Sequence, residues 1–404
     1  MQDSFDAVGT PPRGLSPIGR LLGGRTLPSL LARLGVRGAR GKGGPLRLGR
    51  RVFAIRHADV VEVLRRDLDF SIAPVNASRI DAVNGGAFIL GMDRSPELTR
   101  ERAALYRALG RIDLATIADK TRAAARDSVA AGAPRFDAIA DYARPIALST
   151  ASAIFGIAPA NRDLFAEVVR AIFHHTFLNI GGDAKIEARA LSAAPLMRDW
   201  FTVEIDRRRR SGDLGADLMG ALLADGALDD DAVRRTLGGM LVGSVDTTTS
   251  TFARVFSVVR DDAGLAGRML ERWRAGLDIH GYCLDALRRW PHNPILLREA
   301  AADTVLAGVE IKAGTRVIAW TQAAMQDPDA FPDPGETRPD RPMAAYLHFG
   351  GGLHPCAGRV VNAIQIPLLV GTLLDAGARP DGAMKWVGPF PDRMPVRIDK
   401  GAAR

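Results

Sequence analysis

A single cysteine in a glycine-rich run has the residue type and surroundings of a metal-binding thiolate. The run covers residues 349–359 (FGGGLHPCAGR) and places Cys356 just before a predicted helix. A helix N-terminus stabilises a thiolate through its unpaired N–H groups and its dipole, and glycines leave room for a flat ligand. Because the only other cysteine, Cys283, lies far away in the chain, one axial bond to haem iron suits Cys356 better than a metal cluster. A buried free cysteine in a tight loop is the competing interpretation.

A carboxylate and a hydroxyl lie side by side in a stretch of predicted helix that contains small residues. Asp246 and Thr247 follow Gly243 and Ser244. Small residues allow a helix to open its backbone hydrogen bonds, which leaves a notch beside a bound ligand. An acid and an alcohol at such a notch can pass protons through water to a buried oxygen species. A helix with Thr and Asp on its surface explains the pattern equally well when it is taken alone.

The elements that must position these residues are mostly helical. Apolar spacing predicts helices from Ser95, the N-cap of the first one, to about Arg260, and a last helix after Cys356. A further helix is predicted at 57–66, a buried helix at 145–161 and a loop with an apolar patch at 71–91. Short strands are predicted at 46–48, 52–55, 305–307, 315–320 and 386–398. We therefore predict a mostly α fold with a minor β-sheet region.

The run around Cys356 resembles the cysteine-ligand signature of the cytochrome P450 family. That signature, Phe-x-x-Gly-x-x-x-Cys-x-Gly, is matched at Phe349, Gly352, Cys356 and Gly358, and His354 resembles the version common in soluble bacterial members. The resemblance extends over roughly residues 45–400 and implies the cytochrome P450 fold.

Two further landmarks of the family occur in the expected order. The pattern Ala/Gly-Gly-x-Asp/Glu-Thr is matched at Gly243, Asp246 and Thr247, with Ser244 in place of the second glycine. Asp285 and Arg288 stand where the family carries Glu-x-x-Arg, a pair that Arg341 would join to stabilise the core near the cysteine loop. Without the resemblance, Asp285 and Arg288 are an ordinary ion pair on a helix surface.

The resemblance assigns roles to residues along the chain. Cys356 is the expected ligand of the iron of haem b, and Asp246 and Thr247 are the expected proton-delivery pair. Leu98 stands where the bacterial pattern has a histidine that contacts a haem propionate. The other expected haem contacts are Arg102, Gly243, Arg298, Phe349, Gly350, His354 and Gly358. The expected substrate contacts are Phe88, Leu90, Phe173, His174, Phe177, Leu241, Val245 and Ile295, which are mainly apolar and indicate a hydrophobic small molecule.

These roles together predict a haem-thiolate monooxygenase that uses O2 to hydroxylate or otherwise oxidise its substrate. The resemblance implies that electrons come from NAD(P)H through a ferredoxin reductase and a ferredoxin, and an acidic ferredoxin would dock on a basic surface. Two alternatives stay open. One is a peroxide-driven peroxygenase, although members of that kind commonly lose the acid–alcohol pair that Asp246 and Thr247 retain. The other is a non-catalytic haem-binding or sensor protein.

Composition and charge limit the class of protein, its compartment and its binding partners. The 404 residues include 47% hydrophobic and 25% charged residues, typical of a globular protein, and the two cysteines exclude a disulfide framework and favour the cytoplasm. The net charge of +8 is concentrated in residues 1–50, so the nearly neutral remainder argues against nucleic-acid binding. We predict a basic N-terminal arm at 1–44, a single domain at 45–404 and no transmembrane segment.

The N-terminal arm has three interpretations. The first is a solubilising surface segment, the second is a segment that contacts a membrane surface weakly, and the third is a mitochondrial presequence. The membrane interpretation depends on leucines that alternate with arginines: Leu21, Leu22, Leu27, Leu30, Leu31 and Leu34.

Overall fold

The structure is a computed structural model, which describes residues 31, 34–39, 41, 43–179 and 181–398. Most of the predicted arm, including four of the six leucines that support its membrane contact, therefore lies outside the described residues. Residues 34–39 are helical, and Val36 and Ala39 are buried. Among the described residues, no helix is both long enough and apolar enough to cross a membrane.

The structure is mostly helical, with 58% helix and 11% strand, which confirms the predicted fold class. Numbered from residue 43 onward, the helices are α1 His57–Arg65, α2 Ala73–Asn84, α3 Pro96–Leu109, α4 Leu114–Gly132, α5 Arg144–Phe155, α6 Arg162–Phe173, α7 Ala184–Ser211, α8 Leu218–Asp225, α9 Asp230–Val242, α10 Val245–Arg260, α11 Ala263–Arg274, α12 His280–Arg289, α13 Thr321–Ala324 and α14 Arg359–Asp375. The strands are β1 Leu46–Leu48, β2 Arg51–Ala54, β3 Phe70–Ser71, β4 Arg135–Asp137, β5 Leu296–Ala300, β6 Thr304–Leu306, β7 Val309–Ile311, β8 Arg316–Ala319, β9 Ala378–Pro380, β10 Lys385–Val387, β11 Phe390–Arg393 and β12 Pro395–Ile398.

The backbone contacts divide the described chain into two compact units. The first unit contains residues 72–117 and 147–247. The second unit contains the described residues up to 71 together with 118–146 and 248–398, and it holds every strand that the structure describes.

The first unit is built from helices with polar N-caps. The predicted cap is confirmed at α3, where the Ser95 hydroxyl accepts a hydrogen bond of 3.0 Å from the Leu98 N–H. Asp229 caps α9 in the same way through the Ala232 N–H. The long helix α7 packs against α6 and α9. This packing buries apolar side chains such as Phe201 and Leu237.

Helix α2 corrects the predicted loop at 71–91. The helix covers Ala73–Asn84 and has Pro74 in its first turn, where the missing N–H of proline costs little. Val75, Ile80 and Val83 are buried along it. The prediction was wrong because the polar and small residues of the stretch obscured this apolar face.

In the second unit, a five-stranded sheet has the order β1-β2-β8-β5-β3. Its pairs are antiparallel except β2 and β8, which are parallel. Val60 and Val63 of α1 pack with Val52, Val317 and other buried side chains of the sheet in one apolar core. The register places Arg298 opposite Val317 in the interior of the sheet.

A second core of this unit surrounds α10 and α14. Phe252 and Phe256 of α10 are buried with Leu369 and Leu373 of α14. Tyr142 fixes this packing, because its hydroxyl donates a hydrogen bond of 2.9 Å to the carbonyl of Leu369. Helix α14 is thereby held where its N-terminus follows the cysteine loop, which we define as residues 349–358.

Candidate functional site

The cysteine loop holds Cys356 directly before α14, as predicted. The N–H of Cys356 donates to the Phe349 carbonyl at 2.8 Å, and the N–H of Gly350 donates to the Leu347 carbonyl at 3.0 Å. Gly358 is the N-cap residue of α14. The loop therefore closes on its own backbone and presents the cysteine at the N-terminus of a helix.

The glycines of the loop have different tasks. Gly352 has a φ of +63°, and a Cβ there would lie 1.7 Å from the carbonyl oxygen of Leu64 in α1. Gly350 has a φ of +70°, and its Cβ would lie 2.9 Å from the carbonyl oxygen of His354. These two glycines are required by the backbone itself. At Gly358, by contrast, a Cβ would lie 3.9 Å from the sulfur of Cys356, so this glycine keeps the space beside the sulfur open.

Cys356 is an exposed residue, and its sulfur has hydrogen-bond donors beside it. The surrounding protein desolvates the sulfur and raises the pKa of the thiol. The backbone N–H groups of Gly358 and Arg359, together with the charge of Arg359, act in the opposite direction and favour the thiolate. An exposed cysteine whose sulfur lies beside two amide donors does not suit a residue that merely fills a core. It fits an axial thiolate ligand of haem iron.

Other residues predicted to contact haem lie in the same unit as Cys356. Arg298 of β5 is buried, and its guanidinium donates to the Leu297 carbonyl at 2.8 Å. His354 is half-buried, and its N–H donates to the Gly351 carbonyl at 3.3 Å. Phe349 packs edge-on against His348, with ring centroids 4.6 Å apart.

The remaining predicted haem contacts, Arg102 and Gly243, belong to the first unit. Arg102 lies on α3, where its guanidinium is 5.5 Å from the ring centroid of Tyr106. Gly243 follows the last residue of α9. Leu98, which replaces the histidine of the bacterial pattern, is fully buried in this unit.

A buried carboxylate organises the segment that precedes the cysteine loop. Asp285 lies 2.6 Å from the Nε of Arg288 and 3.1 Å from the Nε of Arg341. The hydroxyl of Tyr346 and the N–H of Arg338 also donate to Asp285, at 3.2 and 2.9 Å. Asp285 therefore reaches both arginines although it is one methylene shorter than the glutamate of the family pattern.

This cluster corrects the reading of Asp285 and Arg288 as a surface ion pair. Both side chains have zero exposure. The guanidinium of Arg288 also donates to the carbonyls of Met325, Pro334 and Glu336. The prediction of a surface ion pair was wrong because these partners lie 37 to 48 residues downstream of Arg288, which helix periodicity does not reveal.

The predicted opening between helices is present at Gly243 and Ser244. Helix α9 ends at Val242 and α10 begins at Val245. The Ser244 hydroxyl donates to the Leu241 carbonyl at 2.7 Å, and the Thr247 hydroxyl donates to the Gly243 carbonyl at 2.5 Å. These side chains satisfy carbonyls at the point where the helical pattern is interrupted.

Asp246 and Thr247 lie in the first turn of α10. Asp246 is buried, whereas Thr247 is partly exposed. Because the hydroxyl proton of Thr247 is donated to the Gly243 carbonyl, its oxygen can still accept a hydrogen bond from another donor. The arrangement suits a hydroxyl that holds a water or another protonated group.

The first unit contains a small apolar pocket with a volume of about 20 Å³, enough for about one water molecule. Three predicted substrate residues, Phe88, Leu90 and Phe177, line it. The other lining residues are Ile80, Val83, Asn84, Ile172, Thr176, Met197, Gly239 and Val242.

Four predicted substrate residues of this unit do not line the pocket: Phe173, His174, Leu241 and Val245. All four are buried, and the ring of Phe173 packs against Phe177 with centroids 5.0 Å apart. Ile295 belongs to the second unit, where it precedes β5.

Sequence reasoning missed the residues that fix the wall of this pocket. Gly239 of α9 packs directly against the Phe88 ring, and Arg235, one turn earlier, binds the carbonyl of Ala87. The available signal was the pair Gly238-Gly239 inside a helical pattern, because glycine in a helix interior usually has a packing reason. The partners of that pair are distant in sequence and could not be named.

Comparisons with known proteins match one family. The family model described as Cytochrome P450 matches residues 285–376, which include Asp285 and the cysteine loop. A biflaviolin synthase from Streptomyces coelicolor is 29% identical over 255 residues, covering 62% of this chain and 59% of that protein. A mycinamicin IV hydroxylase/epoxidase from Micromonospora griseorubida is 27% identical over 323 residues, covering 76% of this chain and 78% of that protein.

The fold has a solved counterpart over nearly its whole length. The structure of P450BioI in complex with a hexadec-9Z-enoic acid ligated acyl carrier protein has a TM-score of 0.80 to this chain. The match covers 92% of this chain and 99% of that chain at 17% identity. At this identity the likeness shows the fold alone.

Proposed function

The chain belongs to the cytochrome P450 family, and on that premise we propose that it is a haem-thiolate monooxygenase acting on a hydrophobic small molecule. The observation that supports this proposal most strongly is that Cys356 is an exposed residue whose sulfur lies beside two backbone amides at the start of α14. In this proposal haem b binds with Cys356 as its iron ligand. When bound, the haem supplies the activation of O2.

The protein's own residues hold the cofactor and its surroundings. Arg298 and His354 of the second unit are proposed propionate partners, since cationic and hydrogen-bonding groups suit a carboxylate. By resemblance, Arg102 is a further propionate partner, and Phe349, Gly350, Gly243 and Gly358 are further haem contacts. Gly358 leaves the space beside the sulfur free of a side chain.

Asp246 and Thr247 are the proposed proton-delivery pair. The Thr247 hydroxyl donates to the Gly243 carbonyl, so its oxygen is oriented to accept a hydrogen bond from a water. Asp246 is the adjacent acid and can exchange protons with such a water. The pair holds and passes protons, and it forms no covalent bond to the substrate.

The substrate is proposed to be a hydrophobic small molecule because Phe88, Leu90 and Phe177 face an apolar pocket. Phe173, His174, Leu241, Val245 and Ile295 stay proposed substrate contacts from the resemblance alone. Electrons are proposed to come from NAD(P)H through a ferredoxin reductase and a ferredoxin.

The first experiment tests the iron ligand. Cys356→Ala should abolish the absorption band near 450 nm of the reduced carbon monoxide complex, because the thiolate is the proposed source of that band. The matched control is Cys283→Ala, which removes the only other cysteine, a buried one, and should keep the band. An unchanged spectrum in Cys356→Ala would defeat the ligand assignment.

The second experiment separates the proposed activity from its two alternatives. The holoprotein is incubated with a panel of lipophilic compounds, either with surrogate ferredoxin, reductase and NADPH or with hydrogen peroxide alone. We expect products with the electron-transfer proteins. Products with peroxide alone would favour a peroxygenase, and firmly bound haem without any product would favour a sensor.

A further inference from the structure

We infer that Gly239 sets the size of the apolar pocket by fixing the position of the Phe88 ring. This inference rests on the proposed function, because it treats the pocket as the place that receives the apolar end of the substrate. Both residues line that pocket, Gly239 from α9 and Phe88 from the chain before Ile89–Gly91.

The contact between the two residues leaves no room for a side chain at position 239. A Cβ on Gly239 would lie 2.5 Å from one atom of the Phe88 ring and 2.6 Å from two others. These distances are far below van der Waals contact, and the neighbour is an aromatic ring rather than a flexible chain end. Gly239 lies inside α9, where a glycine is less favourable than an alanine by about 1 kcal/mol. The ring explains why glycine is present there.

The backbone on which Phe88 is carried is tied to the same helix. Arg234 donates to the carbonyls of Asn84 and Gly85, at 2.8 and 3.2 Å. Arg235 donates to the carbonyl of Ala87, directly before Phe88. In return, the side-chain amide of Asn84 donates to the Arg235 carbonyl at 3.0 Å.

These bonds leave the ring few ways to escape a methyl group at position 239. The main chain from Asn84 to Ala87 is fixed to α9, so the ring must rotate rather than retreat with its backbone. Because the ring is itself a wall of a cavity of only about 20 Å³, a rotation changes the space that remains. A substitution at Gly239 should therefore change which ligand sizes bind, not only how tightly all ligands bind.

The experiment measures how affinity depends on ligand length in the holoprotein. Isothermal titration calorimetry is carried out with 1-alkylimidazoles from butyl to dodecyl. In Gly239→Ala we expect the dodecyl compound to bind at least tenfold more weakly, and the butyl compound to change less than twofold. Phe88→Ala should bind the long compounds more tightly than the wild type.

The double variant gives the sharpest test. The three heavy atoms nearest to the introduced methyl group all belong to the Phe88 ring, so Gly239→Ala combined with Phe88→Ala should behave like Phe88→Ala alone. The control Gly267→Ala lies in α11, where a Cβ would meet no atom of the described residues within 4 Å, and it should leave every affinity unchanged.

Three results would overturn the inference. The first is an equal change in affinity for all chain lengths in Gly239→Ala, and the second is strict additivity in the double variant. The third applies if the Gly239→Ala protein does not bind haem. In that case the double variant, which lacks the Phe88 ring, should bind haem again. A double variant that does not bind haem, while Phe88→Ala binds it normally, would refute the role of the ring. A wild-type holoprotein without a thiolate spectrum would instead refute the proposed function, so the two failures are distinguishable.

Discussion

Each unit buries a carboxylate beside an arginine, and the two pairs differ in how completely the carboxylate is satisfied. In the second unit, Asp285 faces Arg288, Arg341, the Tyr346 hydroxyl and the Arg338 N–H. In the first unit, Glu101 of α3 is equally buried, but among the described residues only its Oε1 has a partner, the guanidinium of Arg235 at 2.9 Å.

This difference has an electrostatic consequence. The Oε2 of Glu101 is buried and has no hydrogen-bond partner in the part of the chain that the structure describes, and burial raises the pKa of this carboxyl. A buried ion pair is costly to break, because the partner that remains is an uncompensated charge. We infer that the Asp285 cluster is a rigid support for the cysteine loop, whereas the Glu101 pair tolerates protonation.

The largest expected effect comes from breaking the complete cluster. Asp285→Ala should lower the free energy of unfolding by about 3–5 kcal/mol, because two buried arginines lose their carboxylate. Chemical denaturation of the holoprotein measures the change. The control Asp340→Ala removes an exposed carboxylate of the same segment and should alter stability by less than about 0.5 kcal/mol. Equal effects of the two substitutions would contradict the comparison.

An intermediate effect is expected from a buried histidine near the same cluster. Burial, and the charges of His292, Arg288 and His280, lower the pKa of His348 to about 3. Neither of its ring nitrogens has a hydrogen-bond partner within the described ranges. Below about pH 6.5 the unfolded state binds a proton that the folded state excludes, so unfolding becomes easier as pH falls.

His348→Phe should remove this acid sensitivity. The phenyl ring can keep the packing against Tyr346 and Phe349. Because phenylalanine does not titrate, the unfolded state of the variant binds no proton at this position. The difference in the free energy of unfolding between the variant and the wild type should shift in favour of the variant by about 2 kcal/mol from pH 7.5 to pH 5. Parallel denaturation curves at the two pH values measure this, and a difference independent of pH would exclude His348 as the source.

The smallest effect is expected at the incomplete pair. Glu101→Gln should cost about 1 kcal/mol at neutral pH, because the amide oxygen can still accept from Arg235. The pH dependence has the opposite sign to that of His348. Between about pH 4.3 and the raised pKa of Glu101 the folded state holds a proton that the unfolded state has lost, so wild-type stability falls as pH rises.

The same denaturation measurements test this sign. From pH 4 to pH 7 the wild type should lose stability relative to Glu101→Gln. If the wild type instead gains stability relative to Glu101→Gln over this range, the ion pair with Arg235 affects the pKa of Glu101 more than burial does. The two carboxylates, Glu101 and Asp285, would then not differ in the way described above.

Local signals predicted the cysteine loop well and the buried clusters poorly. The loop is one continuous run in which Cys356, the proposed iron ligand, the glycines and the helix start are neighbours in sequence. Asp285, in contrast, owes its burial to Arg341 and Tyr346, which belong to a later segment. Helix spacing shows which residues share a face, but it does not show what covers that face.

The helix α2 and the contact at Gly239 were missed for a related reason. The stretch 73–84 has a mixed composition that resembles a loop, and its helical state depends on burial of Val75, Ile80 and Val83. The sequence around Gly239 contains no sign of its contact with the Phe88 ring, which lies far away in the chain. In both cases tertiary packing decided what local propensity left open.

The contact between Gly352 and the carbonyl of Leu64 constrains the order in which the protein can assemble. Leu64 and Gly352 are separated by 288 positions in the sequence (352 − 64). Closing so long a segment has an entropic cost that the packing of the intervening residues must offset. A fragment that lacks α1 should therefore be unable to hold the cysteine loop in the conformation described above.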